Sequence, residues 1–382
     1  LLTVFITSVL LGVLTSLSLP PYNFFYINFF TLSLLFLIST NRNTNMLINF
    51  LIGWFFGFGY FLSNLYWISN SLRFDENFEN IIFLSIFIIP FFLSIFYGLF
   101  SFSLKFFNVG MDFSSILTFS VMISVFEYLR GTIFGGFPWN LLSFSLIEIT
   151  TSLKILSLIG TYSFNLLTIT FYCLPIIILF NISSFKKFTT VFIAILILFI
   201  NSYYGNKRIE KIEQTDKKQI SPAIKLVSPI FKIERFFVEE PIENKLKDLI
   251  EISNPLNKDF LLVFPEGITN IGEINKFEND FSEISNQLTN NTKIILGITL
   301  DDGEKMYNSL AVFNKEFVIE DNYNKNKLVP FGEFLPFENF LSKVGIKKIT
   351  GGYKSFSKSD ERNIMSINSY SFLPLICYEI IF

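Results

Sequence analysis

The chain has 382 residues, of which 51% are hydrophobic, 18% aromatic and 16% charged, with a mean hydropathy of +0.49. Soluble globular proteins carry about 25% charged residues, so a large share of this chain belongs in lipid. A formal net charge of −2 offers nothing to nucleic acid, and the lack of any histidine removes Ser-His-Asp and Cys-His catalysis, His-ligated zinc and imidazole proton shuttles. Any general base must then be Asp, Glu, Lys or Tyr. The two cysteines, Cys173 in an apolar run and Cys377 in the last stretch, sit in settings too different to suggest a disulfide.

Seven stretches are apolar enough to span a bilayer, at 1–19, 24–40, 46–69, 81–107, 113–131, 153–180 and 188–204. Each approaches the ~20 residues that a hydrocarbon core demands of a helix. The first lacks a basic leader and a small-residue cleavage site, and reads as a retained span. Arg42, Lys105, Lys186 and Lys187 fall in the loops between spans 2–3, 4–5 and 6–7, against Arg73, Arg130 and Lys154 in the others. This bias puts the first set in the cytoplasm and the segment after span 7 on the outer side.

Glu127 and Arg130 lie three apart and predict a structural pair on one helix face. The following segment, Leu129-Arg-Gly-Thr-Ile-Phe-Gly-Gly-Phe-Pro-Trp-Asn140, combines three glycines and a proline with Phe137 and Trp139. Non-helical backbone at headgroup depth is tolerated only when buried in protein or lining a wet cavity. Two readings stay open: the wall of a lipid-binding cleft, or an ordinary interfacial aromatic belt.

Composition changes sharply at Asn206. Three domains follow: a helical membrane domain over 1–204, a charged linker over 205–219 read as a solvated spacer, and a soluble domain over 220–382. In the last, strands are expected at 223–229, 260–264, 293–300, 307–314 and 371–382, with helices at 239–253 and 278–288. Alternating strands and helices with continuous apolar strands argue for an α/β domain covered on both sheet faces.

Three residues of this domain stand out. Glu266 caps a buried strand in Phe264-Pro-Glu-Gly267, where a carboxylate is costly unless paired or used. Lys325 sits in the polar entry to a rigid apolar loop, and Cys377 is expected at the end of the last strand. A thiol is a poor nucleophile until deprotonated, and a neighbouring base and cation can activate it. Singly, each fits a blander role: strand-end Glu, surface Lys, core Cys.

Together, Phe264-Pro-Glu-Gly267, Tyr323-Asn-Lys-Asn-Lys-Leu328 and Ile376-Cys-Tyr-Glu379 resemble the Glu-Lys-Cys signature of the nitrilase superfamily. Leu328-Val-Pro-Phe-Gly-Glu-Phe-Leu-Pro336 and the loop from Leu129 to Trp139 narrow the resemblance to the apolipoprotein N-acyltransferase family. Gly53-Trp-Phe-Phe-Gly-Phe-Gly59 and Asn64-Leu-Tyr-Trp67 fit the same family. The resemblance implies a multi-span helical membrane domain followed by a nitrilase-like α-β-β-α sandwich. It implies Glu266 as base, Cys377 as nucleophile and Lys325 as the cation on the oxyanion, with Glu333, Tyr378 and Glu379 in support. The acyl donor would be a membrane phospholipid and the acceptor a diacylglyceryl apolipoprotein, through a Cys thioester in the bacterial inner membrane, with the catalytic domain periplasmic. No metal or diffusible cofactor is required.

Against that pattern, the nitrilase-like domain is expected to be C-terminally truncated, and the family's tryptophan in the first soluble loop is replaced by Phe236. Phe334 and Phe337, in an aromatic run from Phe331 to Leu341, suggest a lipid gate or equally an ordinary packed loop. A membrane-tethered amidase and a non-catalytic transport or binding protein are the competing functions. The near absence of charge in the spans weighs against a transporter.

Overall fold

The computed structural model describes all residues except 75–81, 108, 215–221, 230–241, 256–257, 268, 271–280, 337, 339–354, 368–369 and 382. Phe236 and Phe337 therefore lie outside the described residues. The chain divides into two compact units, Leu1–Asp216 and Lys217–Phe382.

In the first unit, all seven apolar stretches contain helix: α1 Leu2–Ser16, α2 Ile27–Ser39, α3 Met46–Leu65, α4 Ile82–Ser103, α5 Phe113–Thr132, α6 Thr150–Leu153, α7 Leu156–Tyr172 and α8 Ser184–Glu213. The Asn45 and Asp112 side chains cap α3 and α5, each accepting a backbone N–H at 2.8 Å. Apolar faces cannot guide helix packing inside lipid, so close backbone approach does so. At Gly53 of α3, an added Cβ would come 2.1 Å from the Tyr97 carbonyl oxygen of α4. Lys105 Nζ donates to the Asn41 carbonyl at one end of the bundle. At the other, Tyr60 Oη donates to the Asn140 carbonyl and Asn23 Nδ2 to Glu148 Oε1.

Three sequence expectations need correction here. Among the described residues, four helices are long and apolar enough to cross a membrane: Met46–Asn70, Ile82–Phe107, Phe113–Gly135 and Ser184–Glu213. The 1–19 and 24–40 stretches form helices of only 15 and 13 residues. The 153–180 stretch is broken, because Gly160 takes φ 77° and Pro175 opens a 3-10 segment over Leu174–Leu179. Finally, the charged segment after Asn206 is not a spacer from its start, since α8 runs on to Glu213. Lys207 pairs with Glu210 one turn on at 2.9 Å, and such solvated pairs extend a helix that has no face to bury.

The second unit is built on a mixed sheet of order β1-β2-β4-β5-β6, with β3 beside β4. The strands are β1 Ala223–Leu226, β2 Phe260–Val263, β3 Thr269–Asn270, β4 Lys293–Asp301, β5 Met306–Phe313 and β6 Ile319–Asn324. β1, β2 and β4 run parallel, while β4, β5 and β6 form an antiparallel meander. One sheet face carries Leu262, Ile294, Leu296, Ile298, Ala311 and Phe313 beneath α9 Ile242–Ser253 and a helical turn at Ser282–Ser285. The expected 278–288 helix is reduced to that turn within the described residues. The other face carries Leu261, Ile295, Val312 and Tyr323 and packs against Met365, Ile367 and Ile376. Met365 and Ile367 belong to β7 Met365–Ile367, which pairs antiparallel with β8 Tyr370–Phe372.

The last strand is also shorter than expected. It ends at Phe372; Pro374, with no N–H to give a ladder, stands between it and Cys377, which opens a 3-10 turn at Cys377–Ile381.

Candidate active site

Strand periodicity decides which side chains can meet. Side chains alternate along a strand, and directly opposed residues of an antiparallel pair share a face. Ser309 opposes Asn324 and Leu310 opposes Tyr323, and one step on, the Lys325 N–H donates to the Asn308 carbonyl at 2.9 Å. Asn308 and Lys325 thus share the face of Leu310 and Tyr323, opposite the helices. Glu266 reaches the same face from the turn after β2. Gly297 of β4 makes room for that turn: a Cβ there would stand 2.5 Å from Glu266 Cα. Gly267 completes the turn with φ 73°.

The polar cluster is dense. Lys325, 1% exposed, places Nζ 2.9 Å from Glu333 Oε1 and 3.6 Å from Glu266 Oε1. Asn308 Nδ2 donates to the same two oxygens, at 2.6 Å each. Glu333 Oε2 accepts from the Val329 N–H at 2.8 Å, which closes the Val-Pro-Phe-Gly-Glu loop on itself. Glu333 is buried, whereas the Glu266 side chain is 38% exposed, so one carboxylate is enclosed and the other faces outward.

Cys377 is exposed, and its φ of 49° lies in the left-handed region that a side chain adopts only at a cost of roughly 1–3 kcal/mol. Such strain persists where surrounding bonds over-determine it, and here Glu379 supplies them. The buried Glu379 carboxylate accepts from Tyr323 Oη (2.8 Å), the Asn326 and Lys327 N–H groups (2.7 and 3.0 Å) and the Ile376 N–H (2.9 Å). It stitches the loop after Lys325 to the turn that presents Cys377. Burial, and then the Glu379 carboxylate, push the Tyr323 hydroxyl up to about 12, so it remains a donor across the physiological range. Burial, and then the charge of Glu266, also push the Cys377 thiol up, against an opposing pull from Lys325. The thiol is therefore protonated at neutral pH and needs a base at the moment of attack.

The sequence-selected Glu266, Lys325 and Glu333 come together, Cys377 lies near enough to feel the charges of all three, and Tyr378 is buried next to it in the chain. Asn308 was missed by sequence reasoning, since an Asn in a strand carries no signal until its facing partners are known. Phe334 is half-buried, and its carbonyl accepts from the Phe331 N–H at 2.8 Å.

In the helical unit, Glu127 and Arg130 form the expected pair, buried, with Arg130 Nη2 3.9 Å from Glu127 Oε1. Its main use is the adjoining loop: Arg130 Nη1 donates to the Phe137 and Trp139 carbonyls at 2.6 and 2.7 Å. Glu127 in turn accepts from Tyr97 Oη at 2.8 Å and from Asn165 Nδ2. Trp139 stacks on Trp67 with centroids 5.9 Å apart.

Residues 11–174 match the family model described as the apolipoprotein N-acyltransferase N-terminal domain. A protein named apolipoprotein N-acyltransferase from Rhodopseudomonas palustris is 26% identical over 401 residues, covering 99% of this chain and 74% of that protein. Proteins of the same name from Rhizobium rhizogenes and Brucella melitensis are 28% and 27% identical, covering 98% and 97% of this chain and 74% and 73% of their own lengths. Apolar helices long enough to span, a mixed-sheet unit and these relatives define a membrane-bound acyltransferase. Over residues 11–174 the chain is similar to the N-terminal domain of apolipoprotein N-acyltransferases, and over nearly its whole length to proteins of that name.

Proposed function

We propose that this protein moves an acyl chain from a membrane phospholipid to the α-amino group of an N-terminal S-diacylglyceryl-cysteine on apolipoproteins, through a thioester on Cys377. The observation that carries the reading is the buried Lys325 ammonium set 3.6 Å from Glu266, with the exposed Cys377 thiol near enough to feel both charges, in a chain without histidine.

Glu266 takes the Cys377 proton as the sulfur attacks the ester carbonyl, and the oxyanion formed is met by the Lys325 ammonium. Collapse breaks the ester C–O bond; the departing glycerol oxygen takes the proton from Glu266 and leaves as lysophospholipid. In the second half, the acceptor amine attacks the thioester and Glu266 removes its proton. The thiolate leaves and is reprotonated, so an ester has become an amide with no net change in protons. Glu333 holds the ammonium in place in both halves, and Glu379 and Tyr378 hold the nucleophile turn.

Phe137 and Trp139 would wall the lipid cleft, and Phe331 and Phe334 would meet acyl chains; the pinned loop and the 43% exposure of Phe331 support these roles. The inner membrane, with the soluble unit periplasmic, is the setting that the loop charges favour. Arg130 is consumed inside the bundle, so the four inner cations oppose only Arg73 and Lys154.

The test is incubation of the full chain with phospholipid vesicles and a synthetic S-diacylglyceryl-cysteinyl peptide. N-acylated peptide with one lysophospholipid per turnover is expected. Release of free fatty acid in place of N-acyl peptide would assign the same thioester chemistry to a hydrolase.

A further inference from the structure

We infer that Asn308 is a positioning residue for the acyl transfer, holding the two carboxylates apart with one N–H each so that the base and the ammonium keep separate tasks. The inference rests on the Cys377 thioester reading above.

The geometry leaves little freedom. Ionised carboxylates only accept, so the amide nitrogen, not the amide oxygen, must face Glu266 Oε1 and Glu333 Oε1, both at 2.6 Å. An NH2 group has two hydrogens, and these two contacts use both. The same two oxygens are the ones Lys325 approaches, at 3.6 and 2.9 Å. Two carboxylates and one ammonium would otherwise be free to collapse into a symmetric ion pair, with Lys325 drawn onto Glu266. That would occupy the lone pair needed for the thiol proton and turn the ammonium from the oxyanion. A neutral double donor stabilises both anions without adding a competing charge. Asn308 is 9% exposed, and its carbonyl accepts from the Lys325 N–H, so backbone and side chain act on the same cluster.

A graded series tests this in the full chain, with single-turnover acylation of Cys377 by phospholipid vesicles read by intact mass and normalised to titratable thiol. Serine keeps one donor, alanine none, and aspartate keeps the shape but replaces the donor with a third carboxylate. The expected order is Asn308, then Asn308→Ser, Asn308→Ala and Asn308→Asp, with the last slower than wild type by on the order of 10²-fold, as for a misplaced catalytic group. The vesicle concentration giving half-maximal rate should stay unchanged. A space-filling role predicts the reverse at the end of the series, with isosteric Asn308→Asp faster than Asn308→Ala, and that result overturns the inference. So does an Asn308→Ala rate equal to wild type. Wild-type protein that forms no adduct on Cys377 overturns the thioester reading and the inference together, whereas adducts formed at equal rates across the series overturn the inference alone.

Discussion

Lys325 Nζ lies 2.9 Å from Glu333 Oε1, and both side chains are buried. Glu266 is 0.7 Å more distant and far more exposed, which makes Glu333 the closer counter-ion and fits the proposal of Glu266 as the base. Removing one partner of a buried pair costs about 3–5 kcal/mol, reduced here because Glu266 remains near. Glu333→Gln should therefore lower the thermal midpoint in detergent and slow acylation by about 10²-fold, the loss seen when an oxyanion donor is removed. Unchanged acylation in Glu333→Gln would show that the ammonium needs no enclosed partner.

The thiol offers a pH test. With burial and Glu266 raising it, alkylation of Cys377 by iodoacetamide should rise at higher pH than the ~8.5 of a free cysteine. Glu266→Gln removes a negative neighbour, so its curve should move to lower pH even as acyl transfer is lost. Lys325→Gln removes the stabilising cation and should move the curve further up. Opposite shifts in the two variants, read by mass spectrometry of the Cys377 peptide, are the expected signature; shifts in the same direction would contradict it.

Glu379 should behave as a staple. Tyr323→Phe deletes one of its four donors and should cost about 1 kcal/mol. Glu379→Ala leaves the Asn326, Lys327 and Ile376 N–H groups without their acceptor, at roughly 1–3 kcal/mol for each that stays dry. Limited proteolysis should cut near Cys377 much faster in Glu379→Ala than in Tyr323→Phe, with Glu379→Gln between them.

In the helical unit, Arg130→Lys should loosen the loop at Trp139. A guanidinium can hold the Phe137 and Trp139 carbonyls while lying over the Phe61 ring, 5.1 Å from its centroid, and an ammonium lacks that planar fork. With Trp54 and Trp67 replaced by Phe, Trp139 fluorescence should become more accessible to acrylamide in Arg130→Lys than in its parent.

The candidate cluster was largely legible because its members lie in short local motifs, and a resemblance supplied their order. Their mutual placement was not, since it depends on strand register: whether Asn308 faces Glu266 or the helices turns on a single-residue shift. The turn at Cys377 escaped for a related reason. Apolar residues on both sides read as one strand, and the break at Pro374 and the left-handed backbone at Cys377 emerge only in three dimensions. In the apolar unit, hydropathy located every long helix among the described residues but could not see that Gly160 and Pro175 interrupt one stretch. Nor could it foretell that Arg130 would be spent on carbonyl groups inside the bundle.

The central claim is that the sulfur of Cys377 carries the acyl chain between donor and acceptor. Intact-mass measurement of the full chain after exposure to phospholipid vesicles alone tests it most directly. The account predicts a single fatty-acyl adduct mapped to Cys377, absent from Cys377→Ala and Glu266→Gln, and discharged when a diacylglyceryl-cysteinyl peptide is added. N-acylation of that peptide by Cys377→Ala, or an adduct that the peptide cannot discharge, would contradict it.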